Sequence, residues 1–134
     1  MVSLVSTKDA WQKIQQEDSF LLDVRTEAEW DFVGTPLVNA ARYIQISFME
    51  YPGMLVNNDF ILEFNKKFTG NKQSNIFCLC RSGARSHKVA EILELQGFTA
   101  VYNLIDGFEG EVDSNQQRSN VSGWKFNGLP WRQN

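Results

Sequence analysis

The sequence has few of the residues that would indicate a cross-linked or metal-bound protein. Its 134 residues include two cysteines, one histidine and three prolines, and Cys78 and Cys80 are separated by a single residue. A disulfide between them would close a small, strained ring, so we do not expect a structural cross-link. Two free thiols in an apolar run fit a reducing compartment, and we therefore expect a cytoplasmic protein.

Long apolar runs and clusters of positive charge are also missing. No segment approaches the roughly 20 apolar residues of a transmembrane helix, and the first residues lack the pattern of a secretory leader. The net charge is -3 and the isoelectric point is about 5.1. We therefore expect neither a membrane nor a nucleic acid as a partner.

The composition that remains is that of one globular domain. Hydrophobic residues make up 43% of the chain and charged residues 22%. A chain of this length can bury a core without disulfides or metals. We predict a single domain over residues 1–134.

Strands and helices alternate along the predicted chain. Buried strands are predicted over 19–25, 76–80 and 99–104, and a loop over 33–46 leads to another short strand. Helices are predicted over 7–16, 26–32 and 60–68, and a fourth opens at Ser86 and stops at Gly97. This order predicts an α/β domain with a central, mainly parallel sheet of about five strands, flanked by helices on both faces.

The C-terminal segment combines flexible and aromatic residues. Residues 107–134, here called the C-terminal wrap, are rich in Gly, Asn and Ser but contain Phe108, Trp124, Phe126 and Trp131. Disordered tails contain few aromatic residues. We predict an irregular segment packed over the sheet.

The stretch 80-CRSGARS-86 carries the chemistry predicted from the sequence. Its first six residues, here called the Cys80 loop, would place backbone N–H groups at the positive end of a helix, where anions bind. Arg81 and Arg85 add positive charge, which lowers the pKa of a nearby thiol, and Gly83 suits a tight turn. The pattern predicts that Cys80 is a nucleophile and that Cys78 is an inert buried thiol.

Four separated motifs resemble those of the single-domain rhodaneses, a family of sulfurtransferases. They are CRSGARS after a buried strand, 21-LLDVRTEAEW-30, 102-YNLIDGFEG-110 and 123-GWKFNGLPW-131. The resemblance implies a rhodanese-like domain that takes a sulfane sulfur from thiosulfate or a persulfide. The sulfur would pass to a thiol, cyanide or a protein, with no metal or organic cofactor.

The resemblance also assigns roles to individual residues. Cys80 would attack the outer sulfur of the donor and hold it as a persulfide. Asp23 and Arg25, at the end of their strand, and Ser86 are expected to support the loop. The residues expected to bind the donor and the transferred sulfur are Arg81, Ser82, Gly83, Ala84 and Arg85.

Two other functions remain open from the sequence. The domain could act as a non-enzymatic persulfide relay or interaction module. It could also be a cysteine-based phosphatase or arsenate reductase of the same fold, although Arg85 comes one position earlier than in their loops. We expect His87 to be an exposed polar residue and do not expect zinc bound by Cys78, Cys80 and His87.

One family motif is absent from the sequence. Many rhodaneses contain a Gly-His-Ile-Pro-Gly-Ala stretch, whereas this chain reads 34-GTPLVNAARYI-44. The histidine is missing, so we expect a different shape for the loop before the next strand.

Overall fold

The computed structural model of the chain describes residues 2–50 and 52–133, which form nine strands, four α-helices and one 3-10 helix. In chain order these are β1 (Ser3–Val5), α1 (Thr7–Ile14), β2 (Ser19–Asp23), α2 (Glu27–Phe32), β3 (Thr35–Pro36), the 3-10 helix (Ala40–Arg42), β4 (Tyr43–Gln45), β5 (Met49–Glu50), β6 (Leu55–Val56), α3 (Phe60–Lys67), β7 (Asn75–Leu79), α4 (Ala84–Leu95), β8 (Ala100–Leu104) and β9 (Trp131–Arg132).

A five-stranded sheet in the order β1-β8-β7-β2-β4 forms the centre of the molecule. All four of its strand pairings are parallel. The three inner strands β8, β7 and β2 are largely apolar, as expected for strands covered on both faces. The predicted α/β fold with a parallel sheet of about five strands is confirmed.

The two faces of the sheet belong to two separate hydrophobic cores. Alternate residues of one strand face opposite sides, so Phe77 and Cys78 lie in different cores. One core is covered by apolar side chains of α3 and α4. The other is covered by α1 and by the C-terminal wrap.

Capping side chains define the starts of α1 and α2. Ser6 accepts a hydrogen bond from the Asp9 N–H at the start of α1. Thr26 and Glu29 form a reciprocal capping box at the start of α2. Because α2 has no buried residue, this box is a main local reason for its helical conformation.

The prediction that Ser86 opens the fourth helix is wrong by two residues. The helix α4 begins at Ala84, with Gly83 as its N-cap residue at a φ of 109°. Glycine tolerates this left-handed conformation but has no side chain that could signal a cap in the sequence. Arg85 and Ser86 therefore lie in the first turn of α4, and the helix ends before Gly97 as predicted.

Apart from the 3-10 helix, the elements that the sequence did not predict are short strands. They are the edge strand β1, the hairpin of β5 and β6, and β9, which pairs antiparallel with β3. Strands of two or three residues are too short to show an alternating pattern.

The C-terminal wrap contributes to the second core. Phe108 and Trp124 are fully buried, and the Trp124 ring contacts Trp11 edge to face with a centroid separation of 5.4 Å. The Trp124 Nε1–H donates to the Pro130 carbonyl at 2.8 Å, whereas Phe126 is exposed. Among residues 2–50 and 52–133, no helix is long and apolar enough to cross a membrane.

Candidate active site

Cys80 follows β7 directly and lies at the C-terminal edge of the sheet. It is a free cysteine, and only 1% of its surface is exposed. Ligand-binding loops of parallel sheets gather at this edge. Cys78 lies two residues earlier in the same core, and burial raises the pKa of its thiol well above the ordinary range.

The Cys80 loop curls back so that its own backbone reaches the sulfur. The Gly83 N–H donates a hydrogen bond to Cys80 Sγ over 3.1 Å. Within the described residues, Gly83 supplies the one loop N–H group that bonds to Sγ. The Ser86 hydroxyl oxygen lies 3.3 Å from the same sulfur. Of the predicted sulfur-binding residues, Ser82 is partly exposed and Ala84 is exposed.

Residues 105–110, here called the loop brace, hold the Cys80 loop in place. The Phe108 N–H donates to the Cys80 carbonyl at 2.8 Å, and the Glu109 and Gly110 N–H groups donate to the Arg81 carbonyl at 3.0 and 3.2 Å. A Cβ at Gly107 would lie 2.4 Å from the Arg81 carbonyl oxygen. The close backbone approach explains a glycine at this position.

Asp106 anchors the brace to α1 and the wrap. Its carboxylate accepts hydrogen bonds from the backbone N–H and hydroxyl of Thr7 and from the Gly123 N–H, at 2.8, 2.9 and 3.2 Å. Asp106 therefore has a structural role at the start of α1, where a carboxylate is favourable.

Arg85 is paired with a carboxylate that the sequence analysis did not identify. Its guanidinium donates two hydrogen bonds to Glu29, at 2.7 and 3.0 Å, and both side chains are largely buried. Burial alone would raise the pKa of Glu29, but the hydrogen bonds and charge of Arg85 outweigh burial and lower it. Of the two arginines expected to bind the donor, Arg85 is therefore paired within the protein and Arg81 is exposed.

Asp23 and Arg25 form a fully buried ion pair beside the loop brace. Arg25 donates to both carboxylate oxygens, at 2.9 and 2.8 Å, and also to the Gly34 carbonyl. The Tyr43 hydroxyl donates to Asp23 at 2.6 Å, and burial, followed by the charge of Asp23, raises the pKa of Tyr43. The Arg25 guanidinium lies 4.3 Å from the ring centroid of Phe108, so the pair supports the brace.

Asn103 links β8 to the Cys80 loop. It is buried, its Nδ2 donates to the Gly83 carbonyl at 3.1 Å, and its Oδ1 lies 2.5 Å from Ser86 Oγ. Asn103 was not among the predicted site residues, although an asparagine inside the apolar run TAVYNL is a detectable signal.

The segment that replaces the missing family motif forms β3 and the 3-10 helix. Asn39 caps the 3-10 helix through its side chain. Together with α2 and the residues after β4, the segment lines a groove of about 860 Å³, and no residue of the Cys80 loop lines it.

His87 is the fourth residue of α4. Its side chain is 43% exposed and lies 4.0 Å from Glu91 on the next turn of α4. Within residues 2–50 and 52–133, no group of three or more His, Cys, Asp and Glu side chains could hold a metal ion.

Sequence comparisons relate the whole chain to known proteins. A family model described as the STR4 middle domain matches residues 2–134. The chain is 38% identical to the uncharacterized protein RC0915 of Rickettsia conorii over 97% of this chain and 96% of that protein. It is 28% identical to the rhodanese-like domain-containing protein 4 of Arabidopsis thaliana, covering 94% of this chain and 25% of that protein. It is also 28% identical to the thiosulfate sulfurtransferase GlpE of Coxiella burnetii, over 81% of this chain and 86% of that protein.

Solved structures show the same arrangement of elements. The crystal structure of Rv0390 from M. tuberculosis superposes with a TM-score of 0.87 at 32% identity, covering 99% of this chain and 98% of that one. The polysulfide-sulfur transferase of Wolinella succinogenes superposes with a TM-score of 0.67 at 22% identity, covering 99% of this chain and 80% of that one.

Proposed function

Because the chain belongs to the STR4 middle-domain family and has a rhodanese-like fold, we propose that it is a sulfurtransferase that carries sulfur on Cys80. The rhodanese resemblance of the four sequence motifs is confirmed at the level of family and fold. The sulfurtransferase activity and the persulfide mechanism are what we propose beyond this family and fold.

The hydrogen bond from the Gly83 N–H to Cys80 Sγ is the observation that carries this proposal. It places a fixed donor and the positive end of α4 beside a sulfur at the C-terminal edge of the sheet. Such an environment stabilises negative charge on sulfur, which a nucleophilic thiolate requires.

The proposed reaction has two displacement steps. The Cys80 thiolate attacks the outer sulfur of thiosulfate, the S–S bond of the donor breaks, and sulfite leaves with the electron pair. An acceptor thiolate or cyanide then attacks the terminal sulfur of the persulfide, which breaks the new S–S bond and restores the Cys80 thiolate. The persulfide extends the reactive atom by about 2 Å, one S–S bond length, beyond the enclosed Sγ.

The donor-binding roles proposed for the arginines follow from their positions. Arg81 is exposed and can pair with an anionic donor, while Arg85 acts from within its ion pair with Glu29. A phosphatase or arsenate reductase of this fold has a longer loop, wide enough for a tetrahedral phosphate or arsenate. The shorter spacing from Cys80 to Arg85 argues against these activities.

The proposal includes the partners and the location. The donor is thiosulfate or a persulfide, and the acceptor is a thiol, cyanide or a protein thiol, with no nucleic-acid or membrane partner. We propose a cytoplasmic location because both cysteines are free thiols, the state that a reducing compartment maintains.

Intact-mass measurement after incubation with thiosulfate tests the proposal. We expect the protein to gain one sulfur atom, mapped to Cys80 and removed by cyanide with release of thiocyanate. Cys80→Ser should gain none, while the matched variant Cys78→Ala should load sulfur like the unaltered chain. Sulfur found on Cys78, or loading retained in Cys80→Ser, would contradict the assignment.

The same preparation separates the enzyme from the relay alternative. A transferase turns over repeatedly with thiosulfate and cyanide, and sulfite release exceeds the amount of protein. A relay module would load once from a persulfide donor and show no sustained sulfite release.

A further inference from the structure

A buried chain of polar groups joins the strand β8 to the reactive sulfur. It runs from the Gly83 carbonyl through the Asn103 amide and the Ser86 hydroxyl to Cys80 Sγ. Ser86, Asn103 and Cys80 are all buried, so their hydrogen bonds depend on one another rather than on solvent. Its two middle members, Asn103 and Ser86, lie outside the residues that the proposed mechanism uses directly.

The chemistry of these groups fixes where each proton lies. The Gly83 carbonyl can only accept, so Asn103 must turn its NH₂ group toward it, over 3.1 Å. The Asn103 carbonyl oxygen then faces Ser86 Oγ at 2.5 Å, and because that oxygen can also only accept, Ser86 must donate its single proton there.

A consequence follows for the contact between Ser86 and Cys80. The hydroxyl has three possible acceptors but one proton, and Asn103 is the nearest of them, compared with 3.3 Å to both Sγ and the Gly83 carbonyl. Ser86 therefore presents a lone pair to Sγ. A lone pair accepts a hydrogen bond from a thiol but gives none to a thiolate.

We propose that Asn103 is a positioning residue that directs the Ser86 proton away from Cys80. This inference rests on the proposed function, since it concerns the same nucleophile. The Gly83 N–H donates to Sγ in either state, so the two contacts act in opposite directions: the amide favours the anion, and the Asn103–Ser86 pair favours the thiol.

Loss of the Sγ proton therefore has a cost in this hydrogen-bond network. Once Sγ has lost its proton, Ser86 either keeps its lone pair toward the sulfur or turns its proton to Sγ. The second choice leaves the buried Asn103 carbonyl without a donor, and both choices cost free energy. Sulfur chemistry at Cys80 is thus coupled to a side chain of β8.

Other charged and titratable groups also face Cys80 and are held constant in the test. Arg85 on α4 and Cys78 on β7 interact with it electrostatically, and Arg81 adjoins it in the loop. Glu29 and Asp23 act on Arg85 from α2 and from the end of β2.

The test is the titration midpoint of Cys80, followed through the Cβ chemical shift of isotope-labelled cysteine in NMR spectra, with Cys80→Ser for assignment. We expect Asn103→Ala to lower the midpoint by about one unit, because Ser86 is then free to donate to the thiolate. We expect Asn103→Asp to raise the midpoint, because the acceptor remains and a negative charge is added. In a Ser86→Ala background, Asn103→Ala should cause no further shift.

The Ser86→Ala background separates this role from a merely structural one. Loss of the hydrogen bond from Asn103 to the Gly83 carbonyl would shift the midpoint whether or not residue 86 carries a hydroxyl, so a structural role predicts a shift in that background too. A shift on Asn103→Ala in the Ser86→Ala background, or no shift in Asn103→Ala alone, would overturn the proposal. Asn75→Ala, at the opposite end of the neighbouring strand, is the matched control and should leave the midpoint unchanged.

A measurement on the unaltered protein covers the case in which the variants fail to fold. Neutron diffraction should place the Ser86 hydroxyl deuteron on the Asn103 side, and a deuteron facing Sγ would refute the inference. Neither measurement uses a sulfur donor, so the titration result stands apart from the outcome of the thiosulfate assay.

Discussion

Because Arg85 is paired with Glu29, replacing Arg85 also leaves a carboxylate without its partner. Arg85→Ala leaves the Glu29 carboxylate largely buried and unpaired beside the site, where it repels an anionic donor. We expect KM for thiosulfate to rise several-fold, by roughly tenfold for each 1.4 kcal/mol of lost binding, with a smaller change in kcat. Steady-state kinetics measure this.

The double variant supplies the control for that substitution. Glu29→Gln combined with Arg85→Ala removes the unpaired charge, so KM should fall back toward the value of the unaltered protein. In urea unfolding, the coupling energy of the pair should be about 1 kcal/mol. An unchanged KM in Arg85→Ala would show that this guanidinium takes no part in donor binding.

Glu29 also gives the stability a defined pH dependence. The folded protein holds the pKa of Glu29 below its ordinary value of 4.5, so its contribution is fully present above that value. The contribution is lost as the pH falls through the lowered folded pKa. The difference in unfolding free energy between the unaltered protein and Glu29→Gln should therefore be constant near neutral pH and shrink in acid.

Chemical unfolding at a series of pH values checks this expectation. Glu17→Gln, at an exposed glutamate, controls for the loss of one negative charge. A difference for Glu29→Gln that grows as the pH falls would mean that the sign of the linkage is opposite.

The contact between the Cys80 loop and the loop brace depends on one glycine. Gly107 and Gly128 have similar positive φ values of 66° and 72°, but a Cβ on Gly107 would strike the Arg81 backbone whereas one on Gly128 meets nothing within 4 Å. We expect Gly128→Ala to cost about 1 kcal/mol from backbone conformation alone. Gly107→Ala should cost clearly more and impair sulfur loading.

Thermal unfolding and the thiosulfate mass assay measure the two effects. Because the φ angles match, the difference between the two variants isolates the steric contact. Equal destabilisation, with loading intact in Gly107→Ala, would show that the brace does not shape the loop.

Elements with strong local signals were predictable, and those defined by distant partners were not. The apolar runs of β2 and β7 and the helical spacing of α3 predicted these elements from neighbouring residues alone. By contrast, β1 is a strand only because β8 lies beside it, with Ser3 opposite Tyr102. The start of α4 was missed because Gly83 caps it through backbone conformation.

The residues of the candidate site also differ in whether their signal is local or depends on distant partners. Cys80, Gly83 and Ser86 lie within one short motif, so local spacing brought them to attention. Glu29 is separated from Arg85 by 56 positions and Asn103 from Ser86 by 17, and their pairing depends on the sheet order. A local pattern could therefore predict the nucleophile but not the groups that restrain it.

The C-terminal wrap makes the second core depend on the end of the chain. Trp124 is fully buried against Trp11 and is among the largest buried side chains. We expect Trp124→Ala to cost about 3–5 kcal/mol, as for other large core truncations. If residues 1–134 form one domain as predicted, calorimetry should show one transition that shifts as a whole.

The exposed Phe126 provides the matched aromatic substitution. Phe126→Ala should leave the transition midpoint nearly unchanged, since half of its surface is already in solvent. A separate, early transition in Trp124→Ala would instead indicate that the wrap unfolds independently of the sheet.

The order of strands in the central sheet also determines at what point during synthesis this sheet can form. Among the strands of the sheet, β1 is synthesised before the others, yet its partner β8 ends at Leu104, and the inner pairing of β7 with β8 also waits for that strand. Until then β1 is unpaired and β7 has an open edge. Pairings this distant in sequence make folding slow, and a chain that stalls before Leu104 exposes a sheet edge on which other chains can assemble.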